Sequence, residues 1–168
     1  MIHVCSLARL HGTVEEAGAR HIVTLLRNTD QVLRPVSVIE ANHLILSMDD
    51  IVAPMDGYEP PADNHVERLL TFVTGWDRAA PMVVHCYAGI SRSTAGAYVA
   101  ACALNPKRDE MQIAQAIREA SPTATPNARI VSIADRLLGR KGRMVRAIES
   151  IGPGSMAYEG TPFRLALD

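Results

Sequence analysis

Two side chains able to do chemistry stand close together in His85-Cys86-Tyr87-Ala88-Gly89-Ile90-Ser91-Arg92-Ser93. Cys86 can supply a thiolate, the nucleophilic form of the residue. Arg92 presents a planar fork that can hold two oxygens of one anion such as phosphate. The apolar run Met82-Val83-Val84 leads in, and small apolar residues follow from Thr94 to Leu104. That pattern predicts strand, tight loop, helix. Such a loop gathers backbone N–H groups at a helix N-terminus, which suits a bound anion. The same positive end favours a thiolate at Cys86. The expected anion cradle is the backbone of Tyr87, Ala88, Gly89, Ile90 and Ser91 together with Arg92. Gly89 permits a loop conformation that a side chain would resist.

His85-Cys86, five further residues and then Arg92-Ser93, with Gly89 between, resembles the signature of the cysteine-dependent protein tyrosine phosphatase superfamily. The short chain is more similar to the dual-specificity branch, in a compact bacterial-type form, than to the larger tyrosine-specific domains. The resemblance implies hydrolysis of phosphate monoesters on phosphotyrosine, and also on phosphoserine or phosphothreonine. Cys86 would attack phosphorus and form a phosphocysteine. Arg92 would bind the transferred group, and Ser93 would help the thiolate leave. An upstream aspartate would protonate the leaving oxygen. Asp50 matches that position best, with Asp49 and Asp56 as alternatives. Asn127 resembles an asparagine that family members place near the pocket wall. No lysine lies between Cys86 and Arg92, which disfavours a polyanionic lipid substrate. The implied mechanism needs no cofactor and no metal. The expected partner is a phosphoprotein or a small phosphate ester.

Each residue also has a plainer reading. Ser93 can cap the helix, and His85 can orient the loop by hydrogen bonding. Tyr87 can line the pocket or simply pack. Asp49 and Asp50 can form a turn. Arg140, Lys141, Arg143 and Arg146 read as a solvated basic face, or as a recruiting surface for an acidic phosphoprotein. Trp76 and the methionines read as core, and Cys5 and Cys102 as structural. Two other functions share the loop: a catalytically silent phosphate-binding module, and a sulfurtransferase. His85 and Ser93 argue against the sulfurtransferase.

The bulk composition is ordinary for a globular domain: 168 residues, 48% hydrophobic, 21% charged, net charge −1. A balance so near zero predicts no general affinity for nucleic acid or an acidic membrane. Three cysteines do not make a disulfide framework and point to a reducing, cytoplasmic setting. The N-terminus lacks the pattern of a secretory signal, and no apolar stretch is long enough to cross a bilayer.

The elements that must position the loop read as follows. Strands are expected over Ile2 to Leu7, His21 to Leu26, Asn42 to Met48 and Met82 to His85. A short helix from Thr13-Val14-Glu15-Glu16 to Arg20 follows the first strand. A long loop with Pro54, Pro60 and Pro61 spans Asp50 to Pro61, the kind of segment that often carries function. Asn64 and Glu67 fit a capping box for the next helix. Asp109 to Ala120 reads as a helix, as does a segment with Thr125 as N-cap and Pro126 at its first position, running to Leu138. A further helix covers Arg143 to Ile151. The expected fold is three-layer α/β/α, with a mostly parallel central sheet of four to five strands. Residues 1–152 would form the phosphatase domain, and 153–168 an irregular tail packed on it. The loop would lie at the carboxyl end of the sheet, where open α/β folds bind ligands.

Overall fold

The computed structural model describes residues 1–167; residue 168, the last of the tail, lies outside them. Five strands and six helices follow one another: β1 (Ile2–Ser6), α1 (Leu10–Ala17), β2 (His21–Leu25), β3 (His43–Leu46), α2 (Asp63–Thr74), β4 (Met82–Cys86), α3 (Arg92–Leu104), α4 (Glu110–Ala120), α5 (Ala128–Leu137), α6 (Arg143–Ile151) and β5 (Phe163–Leu165). The strands form one sheet in the order β3-β2-β4-β1-β5. β4 lies parallel between β1 and β2, and β3 lies parallel to β2 at one edge. β5 closes the other edge antiparallel to β1. The result is a three-layer α/β/α arrangement with a mostly parallel sheet.

β4 is buried at all five positions, as a strand covered on both faces must be. Alternation splits its side chains between two cores. Met82 and Val84 join the larger core with α2 to α6. Val83 joins the smaller one, with Cys5, Ile22, Leu10 and Val14 under α1. The layers are therefore unequal, with one helix on one face and five on the other. α3 lies against the middle of the sheet, and its residues from Arg92 to Cys102 are all buried. Its small side chains permit that: a Cβ on Gly96 would come within 3.1 Å of Val84 and 3.2 Å of Leu25.

Several helix starts differ from the sequence reading. α1 begins at Leu10, ahead of the Thr13–Glu16 segment, and has no side-chain cap. In α2 the Asn64–Glu67 capping box does not form. Asn64 is already inside the helix, and His65 Nδ1 accepts the Ala62 N–H at 3.1 Å instead. α5 is capped by Asn127, whose side chain accepts from the N–H groups of Arg129 and Ile130. Thr125 and Pro126 precede the helix rather than open it, and the Thr125 hydroxyl accepts the Gly154 N–H at 3.0 Å instead of a helix amide. The tail is not wholly irregular, since Phe163–Leu165 is a strand. Arg140 is not on a solvated face. It is buried, bonded to Glu110 at 2.8 Å and to the Cys102 carbonyl at 2.7 Å. Met48, Met82 and Met144 are core, whereas Met55 and Met156 are exposed. Among the described residues, no helix is long and apolar enough to cross a membrane.

Candidate active site

β4 ends at Cys86 and α3 begins at Arg92. The segment between them is held from outside by its carbonyls. Leu7 N–H donates to Tyr87 O at 3.1 Å, Gly160 N–H to Ala88 O at 2.8 Å, and Thr125 N–H to Ile90 O at 2.9 Å. Ser91 O accepts from Asn127 N–H at 3.3 Å and from Ala95 N–H at 3.0 Å. There are no cis peptides among the described residues. In a trans peptide the N–H points opposite to the C=O. Four outward carbonyls therefore turn the amides of Ala88, Gly89, Ser91 and Arg92 toward the inside of the loop. One of these has a visible partner there: Gly89 N–H donates to Cys86 Sγ at 3.3 Å.

Gly89 has φ +73°, a region that L side chains rarely adopt. A Cβ at this position would also lie 2.8 Å from the backbone of Cys5 and of Ser6. Both facts require glycine. The other groups around the sulfur come from α3. Ser93 Oγ lies 3.2 Å from Sγ. Arg92 is buried, and its Nη1 donates to Met48 O at 2.8 Å. That bond ties the guanidinium to the segment after β3. Its Nε has no partner among the described residues, so one buried donor remains for a ligand.

The three upstream aspartates have separate fates. Asp50 Oδ1 accepts from Ser91 Oγ at 2.7 Å and from Asn127 Nδ2 at 2.8 Å. It thus stands on the rim of the Cys86 loop, and Asn127, itself buried, serves as both helix cap and Asp50 partner. Asp49 turns away. It accepts Glu59 N–H at 2.7 Å and lies 3.5 Å from Arg27 Nε, closing the neck of the proline-rich loop. Asp56 is exposed in that loop. A small cleft of about 180 Å³ is lined by Asp49, Asp50, Tyr87 and Arg92 together with Arg27, Asn28 and Gln31. The last three follow β2, and the sequence reading missed them. The available signal was only that they end a buried strand, whose place beside β4 the sequence did not reveal.

His85 is fully buried next to Cys86 in β4. Its Nε2 lies 2.7 Å from Thr24 Oγ1, which lies 2.8 Å from Nε2 of His43. Thr24 and His85 are register partners on β2 and β4. Burial pushes the His85 pKa down to about 4, the bond to the Cys86 backbone opposes this, and His43 adds to it. The ring is therefore neutral at physiological pH. Cys5 and Cys102 are buried, and burial pushes both thiols up to about 12. They are inert by comparison with a reactive cysteine. Cys5 pairs in register with His85, which puts its side chain on the sheet face opposite that of Met82 and Val84.

A cysteine in a loop of inward amides, beside a buried arginine at a helix start, is an arrangement suited to holding an anion. Residues 54–127, which include this loop, match the family model of protein-tyrosine phosphatase. No curated protein matches the chain in sequence. Among solved structures, PTP-2 phosphatase of Cydia pomonella has 18% identity and TM-score 0.63, covering 80% of this chain and 84% of its own. Human DUSP28 has 21% identity and TM-score 0.64, covering 83% and 89%. The human tyrosine phosphatase-like serine/threonine/tyrosine-interacting protein has 17% identity and TM-score 0.62, covering 83% and 92%. At these identities the structures share the fold. The segment match makes residues 54–127 similar to protein-tyrosine phosphatases, and the fold is shared with compact phosphatase structures such as DUSP28.

Proposed function

We propose that this protein hydrolyses phosphate monoesters, phosphotyrosine first, through a phosphocysteine on Cys86. The observation that carries the reading is the loop whose carbonyls are bound outward while an inward amide meets the Cys86 sulfur. The inward amides and the free Arg92 Nε take the equatorial oxygens of the phosphoryl group, where charge spreads in the transition state. Cys86 Sγ forms a bond to phosphorus as the bond to the ester oxygen breaks. Asp50 gives its proton to that oxygen, which leaves as the alcohol. Water then attacks phosphorus, Asp50 takes its proton, and the sulfur departs with the Ser93 hydroxyl as hydrogen-bond donor. The products are inorganic phosphate and the starting thiolate.

The test is turnover of an aryl phosphate. Wild type is expected to release phosphate and to be inhibited by vanadate, while Cys86→Ser loses turnover and still binds phosphate esters. Undiminished turnover in Cys86→Ser refutes the reading. Binding without turnover by wild type, on phosphotyrosine and phosphoserine peptides alike, would instead identify a silent phosphate-binding module. The relative rates on those peptides also assign the preference between tyrosine and serine or threonine.

A further inference from the structure

We infer that the C-terminal tail is part of the phosphate-binding apparatus, with Gly160 as a positioning residue for the Cys86 loop. The inference rests on the proposed role of that loop. One peptide group links the two. Its carbonyl, on Ala88, accepts the Gly160 N–H at 2.8 Å. Its N–H, on Gly89, donates to Cys86 Sγ at 3.3 Å. Gly160 thus sets the plane of the peptide that touches the nucleophile. The peptide needs such a tie, because glycine accepts several backbone conformations with little penalty and Gly89 flanks it.

The other outward carbonyls are held by Leu7, Thr125, Asn127 and Ala95. All of these precede the tail. Ala88 alone takes its donor from beyond α6. Gly160 is buried, and a Cβ there would stand 2.9 Å from Gly89 O and 3.4 Å from Ile90 Cγ1. Only glycine brings the tail this close. The tail is pinned on both sides of the contact. Before it, Gly154 N–H donates to Thr125 Oγ1 at 3.0 Å and Ser155 N–H to Pro122 O at 2.9 Å. Next to it, Glu159 accepts the Ser6 hydroxyl, and Ser6 is the β1 register partner of Cys86. After it, Phe163 to Leu165 pair with Val4 to Ile2. The strap is anchored at each end and meets the loop at Gly160.

The experiment compares Gly160→Ala, Glu159→Ala and Ile113→Val with wild type. Two readouts are used: tungstate affinity by calorimetry, which needs no turnover, and kcat and KM for an aryl phosphate. Gly160→Ala is expected to lose on the order of tenfold or more in both tungstate affinity and kcat. Glu159→Ala, which loosens the strap without adding bulk, is expected to lose less but measurably. Ile113→Val lowers global stability away from the loop and should stay within about twofold on both readouts. Wild-type values in Gly160→Ala overturn the inference, and so does an equal loss in Ile113→Val. If Gly160→Ala does not fold, Glu159→Ala decides: unchanged tungstate affinity there overturns the inference. Wild type that binds tungstate but turns over no ester defeats the phosphatase reading alone, and the tungstate arm still decides. No tungstate binding by wild type defeats both.

Discussion

Asp50 differs from its neighbours in what binds it. Ser91 and Asn127 fix one carboxylate oxygen on the rim of the Cys86 loop, whereas Asp49 is spent on the Glu59 amide. Asp50→Asn is therefore expected to lower kcat by roughly 10²-fold for a phenyl-type ester, and by less for a good leaving group such as p-nitrophenolate. Asp49→Asn should instead lower thermal stability with kcat little changed. Steady-state kinetics on the two esters check this, and equal sensitivity of both esters to Asp50→Asn would exclude it as the acid. At this scale the sequence is readable where partners are contiguous. Cys86, Gly89, Arg92 and Ser93 announce each other within one turn of chain. Arg27, Asn28, Gln31, Thr24 and Gly160 do not, because they reach the loop only through sheet order and register.

The loop itself is a joint between β4 and α3, and its shape depends on Gly89. Gly89→Ala places a methyl group on the backbone of Cys5 and Ser6 and forces a residue with a Cβ to positive φ. The conformational part alone costs roughly 1–2 kcal/mol. Expected outcomes are a lower Tm and loss of vanadate inhibition together with turnover. Thermal melts and vanadate titration measure both, and wild-type inhibition would show that the loop does not need this conformation. Element types were legible from period and punctuation: buried strands as apolar runs, α3 as a run of small residues. Starts were not, because a cap belongs to whichever side chain finds a free amide. Thr125 has the right chemistry to cap α5, yet its hydroxyl accepts the Gly154 amide of the tail, and Asn127 takes the role. β5 was missed because three residues are too few to show alternation.

For the molecule as a whole, the helical layer is fastened by a charge cluster far from the loop. Glu110 and Arg140 are both nearly inaccessible and 2.8 Å apart, and Arg143 reaches the same oxygen at 3.1 Å. Burial alone would raise the Glu110 pKa, but bonds from its own backbone N–H, Arg140 and Arg143 outweigh it, and the net pKa is lowered. A folded-state pKa below the unfolded one adds stability that is complete above the ordinary value of 4.5 and is lost as pH falls through the folded value. Glu110→Ala leaves Arg140 buried without its partner and should cost about 3–5 kcal/mol in a denaturant titration. Glu110→Gln should flatten the loss of stability on acidification. A change below 1 kcal/mol in the first variant would show the cluster to be dispensable. The basic residues of this cluster read as surface because their acid, Glu110, is on another helix.

The sheet order has a consequence for synthesis. The cysteine leaves the ribosome well before Gly160, and β5 emerges later still. A nascent chain can therefore carry its nucleophile, its arginine and its aspartate while the Ala88 carbonyl still lacks its partner. On the proposed role of Gly160, the loop would reach its anion-binding shape only after the segment beyond α6 has folded back, so the order of synthesis would delay competence.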